Sequence, residues 1–306
     1  MLKDIVVLQY AALPEKTHRE LGETFTVLTL PKNEADAAEF LAEHGARIRG
    51  MAVRHAYVDA AMLDRMPALE IISSYSAGLD GIDTDAARAR GISVQNTSKI
   101  LAEDVADLAV ALAIAVIRGL VRGHDFVRAG KWGNEGFPLG RSLRSLRIGI
   151  VGLGHIGSSV ARRLEAMGAQ MGYFGPRRKP VALAYFDRIE ELAGWADMLI
   201  VTCPATPETV KLIDKEVLDR LGPEGYLVNV SRGTIVDEEA LMGALSDKRI
   251  AGAALDVFER EPQVPDALRN DDRLVLSPHM GSGTRETRQQ MGDRLLEALV
   301  EHFTGK

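Results

Sequence analysis

Three ionisable residues each stand just past a short apolar run. Arg232 follows "YLVNVS" in "SRGTIVDEEAL", Glu261 follows "GAALDVF" in "FEREP", and His279 closes "LVLSPH" in "PHMGSGT". Their types form a set. An arginine clamps a carboxylate through two parallel hydrogen bonds. A histidine titrates near neutrality and can pass a proton. A carboxylate paired with that imidazole fixes its tautomer and favours its protonated form. Taken singly, each has an ordinary explanation as an exposed charge. Together they make a site able to hold an acid and protonate an oxygen, provided the fold brings them to one place.

A second motif lies nearby. In "RIGIVGLGHIGSSVARRLEAMGA" a strand-like run is followed by Gly152, Gly154 and Gly157 and then by a helical pattern, with Ile156, Val160, Leu164 and Met167 as its apolar stripe. Gly152 permits the sharp turn, Gly154 a close approach of backbone to a pyrophosphate, and Gly157 tight packing of helix on strand. The phosphates would sit at the helix N-terminus, where free N–H groups and the helix dipole favour negative charge. His155 occupies a variable slot and is expected to contribute backbone only.

Where such a site prefers NAD, an acid is expected about 20 residues past the glycines, at the end of the second strand. Here the chain reads "YFGPRRKP", with Gly175, Pro176, Arg177, Arg178 and Lys179 in that region. The acid is missing, glycine replaces it, and positive charges arrive together. One reading is a solvated basic turn. The other, favoured by this coincidence, is a seat for a 2′-phosphate, gripped by arginine through paired charge-assisted hydrogen bonds. NADP(H) is therefore expected ahead of NAD(H).

The elements that must position these residues are legible as alternating apolar runs and helical patterns. Strands are expected at 4–9, 25–30, 48–53, 69–74 and 92–96, and again at 147–152, 169–175, 198–203, 226–231, 252–258 and 274–279. Strands alternating with helices predict parallel sheets covered on both faces. The fold class is α/β, with two doubly wound units and a closing helix available to pack back on the first. In such sheets ligands bind beyond the C-terminal ends of the strands, which is where Arg232, Glu261 and His279 fall. Between the two series, residues 105–117 are apolar almost all the way round, which demands burial at a subunit interface or a domain seam. The stretch "GKWGNEGFPLG" reads as a loop.

Bulk properties narrow the partners. The chain has 306 residues, 46% hydrophobic and 26% charged, with a net charge of −6. That is ordinary for two globular domains, and the sign disfavours a nucleic acid or an anionic membrane as main partner. One cysteine, Cys203, rules out an intrachain disulfide framework and suits a reducing cytoplasm. No secretory pattern opens the chain. The longest apolar run, 108–117, is far short of the roughly 20 residues of a membrane span. No cluster of metal-ligating types stands out, and no metal is expected.

Read together, "SYSAGLDGID" (74–83), "NTSKILAEDVADLAVALAIAVIRGL" (96–120), "GIVGLGHIG" (149–157), "CPATPETVKLID" (203–214), "NVSRGTIVDEEAL" (229–241), "GAALDVFEREP" (252–262) and "SPHMGSGT" (277–284) resemble the D-isomer-specific 2-hydroxyacid dehydrogenase family over nearly the whole chain. The resemblance implies that Arg232, Glu261 and His279 are catalytic. It implies a flavodoxin-like substrate domain built from 1–98 plus 281–306, a Rossmann dinucleotide domain at 99–280, and an active site in the cleft between them. It also implies a homodimer through the nucleotide domains, which would bury 105–117. The family's "GAG" carboxylate-binding turn appears as Ser76, Ala77 and Gly78, a departure that is tolerable if the contacts are backbone N–H groups. Arg54 could add a second positive charge near the substrate, or be simply exposed. Asp256 resembles the residue near the nicotinamide carboxamide. Cys203 and Pro204, with Val230 and Ser231, line the cofactor by the same analogy; a small buried residue is an equally good account of Cys203.

The reaction so implied is reduction of a small 2-oxo acid. Arg232, with N–H groups near Gly78, holds the carboxylate and polarises the carbonyl, hydride passes from the nicotinamide to C2, and His279, oriented by Glu261, donates the proton. The chain most resembles the glyoxylate/hydroxypyruvate reductase branch, with hydroxyphenylpyruvate reductases close behind. It ends soon after its closing helix, so the added regulatory domain of many phosphoglycerate dehydrogenases is not expected, and Glu261 separates it from formate dehydrogenases of the same fold. A nicotinamide-sensing corepressor built on this fold is the alternative of another class.

Overall fold

The computed structural model describes residues 2–305 and divides the chain into two compact units, Met1–Leu101 with Thr284–Lys306, and Ala102–Gly283. In the first unit, strands β1 (Val6–Tyr10), β2 (Thr26–Thr29), β3 (Ile48–Val53), β4 (Ile71–Ser74) and β5 (Ser93–Gln95) alternate with helices α1 (Glu15–Thr24), α2 (Glu34–His44), α3 (Ala60–Asp64) and α4 (Thr84–Ala89). The five strands form one sheet in the order β2-β1-β3-β4-β5, and every pairing is parallel. This is the flavodoxin-like order.

Helix α5 (Ser98–Arg118) leads into the second unit and is followed by α6 (Leu120–Arg128) and an irregular stretch. Strands β6 (Arg147–Val151), β7 (Gln170–Phe174), β8 (Ala184–Phe186), β9 (Met198–Val201), β10 (Tyr226–Asn229), β11 (Gly252–Leu255) and β12 (Leu274–Leu276) then alternate with α7 (His155–Ala166), α8 (Ile189–Trp195), α9 (Lys215–Leu221), α10 (Glu238–Ser246) and α11 (Asp266–Arg269). The sheet order is β12-β11-β10-β9-β6-β7-β8, again wholly parallel. The order reverses at β6 beside β9, the switch point where doubly wound folds bind dinucleotides.

The central strands explain why both sheets were legible. Strands β4, β9 and β11 are buried at every position, because helices cover both faces of a parallel sheet. The edge strands β2, β5 and β8 keep no fully buried residue. Helix α12 (Arg285–Thr304) closes the chain on the first unit. Its Leu295 carbonyl accepts from the Ser73 hydroxyl at 3.0 Å, and its Arg288 carbonyl from the Tyr75 hydroxyl at 2.6 Å.

The apolar helix is covered by its own chain more than the sequence suggested. In α5, Val105, Ala106, Ala109, Leu112, Ala113, Ala115, Val116 and Ile117 are all buried within the single chain. Only Ala111 of its apolar run is exposed. Among the large apolar side chains left in solvent, Leu120, Trp132 and Leu139 lie past this helix.

Candidate active site

The glycine loop follows β6. At Gly152 φ is +94°, and a Cβ there would lie 2.6 Å from the Cys203 Cα. At Gly157 a Cβ would lie 2.1 Å from the Gly152 carbonyl oxygen and 2.7 Å from the Thr202 hydroxyl. Both positions exclude any side chain, so α7 starts hard against the strand ends. Thr202 donates to the Gly152 carbonyl at 2.7 Å. Gly154 caps α7 without a side-chain hydrogen bond, and nothing stands within 4 Å of where its Cβ would be. The loop therefore presents an open cradle and the N–H groups of a twelve-residue helix, the features a pyrophosphate needs. A dinucleotide fits this loop, where the backbone of Gly154, His155 and Ile156 would hold it.

The basic turn lies at the end of β7. Gly175 has open space where a side chain would project. Pro176, Arg177 and Arg178 are exposed, and neither arginine makes a hydrogen bond or ion pair to another described residue. Lys179 differs: its ammonium donates to the Leu153 carbonyl inside the glycine loop. The sequence counted it simply as a third charge.

Along the opposite wing of the same sheet, β10, β11 and β12 are neighbours, and Arg232, Glu261 and His279 all lie past their C-terminal ends. Glu261 and His279 meet directly, Nδ1 to Oε2 at 2.7 Å. The other oxygen of Glu261 accepts the Phe258 N–H at 3.1 Å, so the carboxylate is held on both sides. With Nδ1 engaged, Nε2 is the nitrogen left to exchange a proton. His279 has φ +50°, a left-handed conformation that costs about 1 kcal/mol or more in a non-glycine residue. Asp256 over-determines it. Its carboxylate, 1% exposed, accepts from the Ser277 hydroxyl at 2.6 Å and from the N–H groups of Met280 and Gly281, each at 2.9 Å. Its carbonyl accepts the His279 N–H at 2.8 Å.

Arg232 is reached through its neighbours. The buried Asn229 accepts the Ser231 N–H at 3.0 Å and donates to the Arg232 carbonyl at 2.9 Å, while the Ser231 hydroxyl donates to the Cys203 carbonyl. Arg232 itself donates to the Ser231 carbonyl at 2.9 Å. Gly233 then lets this loop touch the one that carries Glu261: its Cβ would lie 1.9 Å from the Phe258 carbonyl carbon. Glu238 ties the same loops together by accepting the Glu259 N–H at 2.7 Å. Burial pushes the Glu238 carboxyl above its ordinary range, against that hydrogen bond. Val230 and Pro204 flank these contacts in sequence, and Val230 is buried. The Cys203 thiol is pushed up to about 12 by burial, which makes it inert as a nucleophile. Among the described residues no group of three or more His, Cys, Asp or Glu is placed to hold a metal.

The first unit holds the remaining expected residues. Past β4, the Ser76 carbonyl accepts the Thr97 N–H at 3.2 Å and the Ala77 carbonyl accepts the Asn96 amide at 2.8 Å. The Ser76 N–H donates to the Ser74 hydroxyl at 3.2 Å, so the N–H groups that this turn could offer an anion are those of Ala77 and Gly78. The sequence did not single out Asn96, although an Asn two residues before a helix was the available signal. Arg54, past the neighbouring strand β3, lies over the Tyr75 ring at 5.7 Å from its centroid, and its Nε is buried without a partner.

A charge network ties α5 to the glycine-loop helix α7. Glu103 accepts from the Ser159 hydroxyl at 2.6 Å and pairs with Arg162 at 2.6 Å and Arg163 at 2.9 Å, while Arg163 also reaches Asp107 at 2.6 Å. The Ser159 hydrogen bond is the largest of the effects on the Glu103 carboxyl; with the two arginines it outweighs burial and holds the group down to about 2.

Comparison with known proteins agrees with this geometry. Residues 110–281 match the family model described as D-isomer specific 2-hydroxyacid dehydrogenase, NAD binding domain. The chain is 42% identical to a hydroxyphenylpyruvate reductase of Plectranthus scutellarioides, covering 100% of this chain and 98% of the relative. It is 40% identical to a glyoxylate/hydroxypyruvate reductase A of Arabidopsis thaliana, with the same coverage. Among solved structures, an NADPH-dependent glyoxylate/hydroxypyruvate reductase of Sinorhizobium meliloti, in complex with NADP and malonate, superposes with a TM-score of 0.89 at 39% identity over 98% of this chain and 94% of that one. With its two parallel sheets, its glycine loop and its His279–Glu261 pair, the chain belongs to the D-isomer-specific 2-hydroxyacid dehydrogenases, as an NAD(P)-dependent oxidoreductase.

Proposed function

We propose that the protein reduces small 2-oxo acids of the glyoxylate and hydroxypyruvate type to D-2-hydroxy acids, with NADPH preferred over NADH. The observation that carries the reading is the His279–Glu261 pair at 2.7 Å, in a sheet whose second strand ends in an open glycine followed by two arginines without a hydrogen-bond or ion-pair partner among the described residues. Held at the glycine loop, a reduced nicotinamide dinucleotide supplies hydride. Arg232 clamps the substrate carboxylate and draws electron density toward the carbonyl oxygen. The protonated His279 keeps Nδ1–H on Glu261 and delivers the Nε2 proton to that oxygen as negative charge develops on it. Ser76, Ala77 and Gly78 are carried as a further carboxylate-binding turn, through the N–H groups of Ala77 and Gly78 because that of Ser76 is engaged by Ser74, and Arg54 is carried by its Nε, buried with no partner among the described residues. Asp256 serves the cofactor pocket by holding the His279 segment in place.

The 42% identical hydroxyphenylpyruvate reductase supports a second reading, a larger aryl-bearing substrate. A panel of glyoxylate, hydroxypyruvate and hydroxyphenylpyruvate, each with NADPH and NADH, separates the two by kcat/KM. A tenfold advantage for the aryl acid would move the assignment to the second reading. No turnover of any 2-oxo acid would favour the corepressor class.

We also infer a homodimer in the cytoplasm. Leu120 is 62% exposed, Trp132 77% and Leu139 100%, large apolar side chains of the kind that mark interaction surfaces when they cluster. A second copy would cover them. The lone cysteine suits a reducing compartment, and no helix among the described residues is long and apolar enough to cross a membrane. A monomer by sedimentation at micromolar concentration would overturn the dimer.

A further inference from the structure

We propose that Lys179 is a positioning residue for the coenzyme: it braces the glycine loop and leaves recognition of the 2′-phosphate to Arg177 and Arg178. Three positive charges are adjacent in sequence, yet the fold separates them into two kinds. Arg177 and Arg178 are exposed, and neither has a hydrogen bond or ion pair to another described residue. Lys179 is anchored at both ends of its own residue. Its ammonium donates to the Leu153 carbonyl, and its backbone N–H donates to the Tyr173 hydroxyl at 2.6 Å.

The anchor is itself built. Tyr173 is 1% exposed, and its ring packs on that of Tyr185 with centroids 5.3 Å apart. Tyr185 donates to the Gly175 carbonyl at 3.2 Å. Two packed tyrosines therefore hold the first and last residues of the basic turn, and the Lys179 side chain runs from that turn to the loop after β6.

The contact falls on the peptide unit that matters most. Leu153 lies between Gly152 and Gly154, where glycines leave the backbone little conformational preference of its own. A peptide unit is planar and trans, so its C=O and N–H point in opposite directions. Fixing the Leu153 carbonyl toward Lys179 therefore fixes the direction of the Gly154 N–H, at the cap of α7, where a pyrophosphate would be received. The brace acts on the part of the coenzyme that NADH and NADPH share. The arginines act on the one group that distinguishes them. The inference rests on the glycine loop being the dinucleotide site, a reading that wild-type binding tests by itself.

The experiment titrates NADPH and NADH, by nicotinamide fluorescence, into wild type, Lys179→Met, Lys179→Arg and the double variant Arg177→Ala/Arg178→Ala. Lys179→Met should weaken both coenzymes by a similar factor of about tenfold, while kcat at saturating coenzyme stays within about twofold. Lys179→Arg, which keeps a donor of similar reach, should stay within about threefold of wild type for both. The double arginine variant should weaken NADPH and leave NADH nearly unchanged. If Lys179→Met weakens NADPH alone, Lys179 is a phosphate ligand and the proposal is wrong. If it weakens neither, the contact is incidental and the proposal is equally wrong. Should the Met variant fail to fold, Lys179→Gln, too short to span to Leu153, is expected to show the same equal loss. Wild type that binds neither coenzyme would instead sink the dinucleotide reading, before any variant is compared.

Discussion

Gly175→Asp should turn the protein from NADPH toward NADH. An acid at the end of the second strand accepts hydrogen bonds from ribose hydroxyls and repels a 2′-phosphate. The structure makes the substitution a clean one, because nothing lies within 4 Å of the added Cβ and the backbone there is not in the left-handed region. The hydrogen bond from Tyr185 goes to the Gly175 carbonyl, which any residue supplies. The magnitude is electrostatic. At an effective dielectric constant of about 40, two unit charges about 5 Å apart repel by ~1.7 kcal/mol, and a phosphate monoester of charge about −1.5 to −2 raises that to ~2.5–3 kcal/mol. That is roughly a hundredfold in affinity. A new hydrogen bond to ribose adds about 1 kcal/mol in favour of NADH. The ratio of kcat/KM for NADPH over NADH, measured with one 2-oxo acid at about 0.1 M ionic strength, should fall by at least about a hundredfold. Higher salt should shrink the effect, since exposed charges are screened. A change of less than about threefold, or an equal loss with both coenzymes, would refute the reasoning: Gly175 would then lie away from the adenosine ribose, and the arginines would be a solvated turn.

Other perturbations follow from the same geometry. His279→Ala should lower kcat by about 10²–10⁴ and leave the Kd for NADPH unchanged; near-normal turnover would remove His279 from the proton transfer. Arg232→Lys keeps the charge but loses the planar fork, so kcat/KM for 2-oxo acids should fall at least about tenfold, and retention of full activity would disprove bidentate recognition. Glu103→Gln tests the network between α5 and α7. The folded carboxyl is held down to about 2 against 4.5 for the free group, so its stabilisation is present above pH 4.5 and is lost as pH falls toward 2. The Glu103 side chain is 52% exposed, which limits the effect to under about 1 kcal/mol. In urea titrations the variant should therefore be slightly less stable at pH 7, with the gap closing between pH 4.5 and about 2.

Most of the fold was legible because burial of a parallel sheet on both faces writes itself as continuous apolar runs. "IRGMAV" is β3 at both ends. In the second unit the expected strands run past the ladder on the C-terminal side, whereas in the first β1 reaches Tyr10, beyond its expected end, and β4 starts only at Ile71. Residues 252–258 were expected where β11 covers Gly252–Leu255. The cause is that apolarity reports burial and not pairing: Val257 and Phe258 are 2% and 8% exposed, yet they belong to the segment that leaves the sheet to carry Glu261. Strand β8 was missed because it is a three-residue edge strand with no fully buried position. The apolar helix 105–117 pointed to a seam or an interface; its own chain covers most of it, and the exposed apolar surface lies beyond its end.

At the site, residue types at strand ends were readable while their partners were not. Glu261 and His279 could be paired in advance because imidazole and carboxylate have a chemical reason to meet. Lys179 could not be separated from Arg177 and Arg178, since all three are cations in one tripeptide; its contacts with the Leu153 carbonyl and the Tyr173 hydroxyl tell them apart. Asp256 shows the same limit from the other side. Resemblance placed it near the nicotinamide carboxamide, a contact made with a ligand. The structure occupies its carboxylate with Ser277, Met280 and Gly281, three donors flanking a histidine held at positive φ. Conformational strain at a functional residue persists only where surrounding contacts over-determine it, and here one buried acid makes them. Whatever it offers a cofactor, the acid thereby also fixes where the His279 imidazole stands.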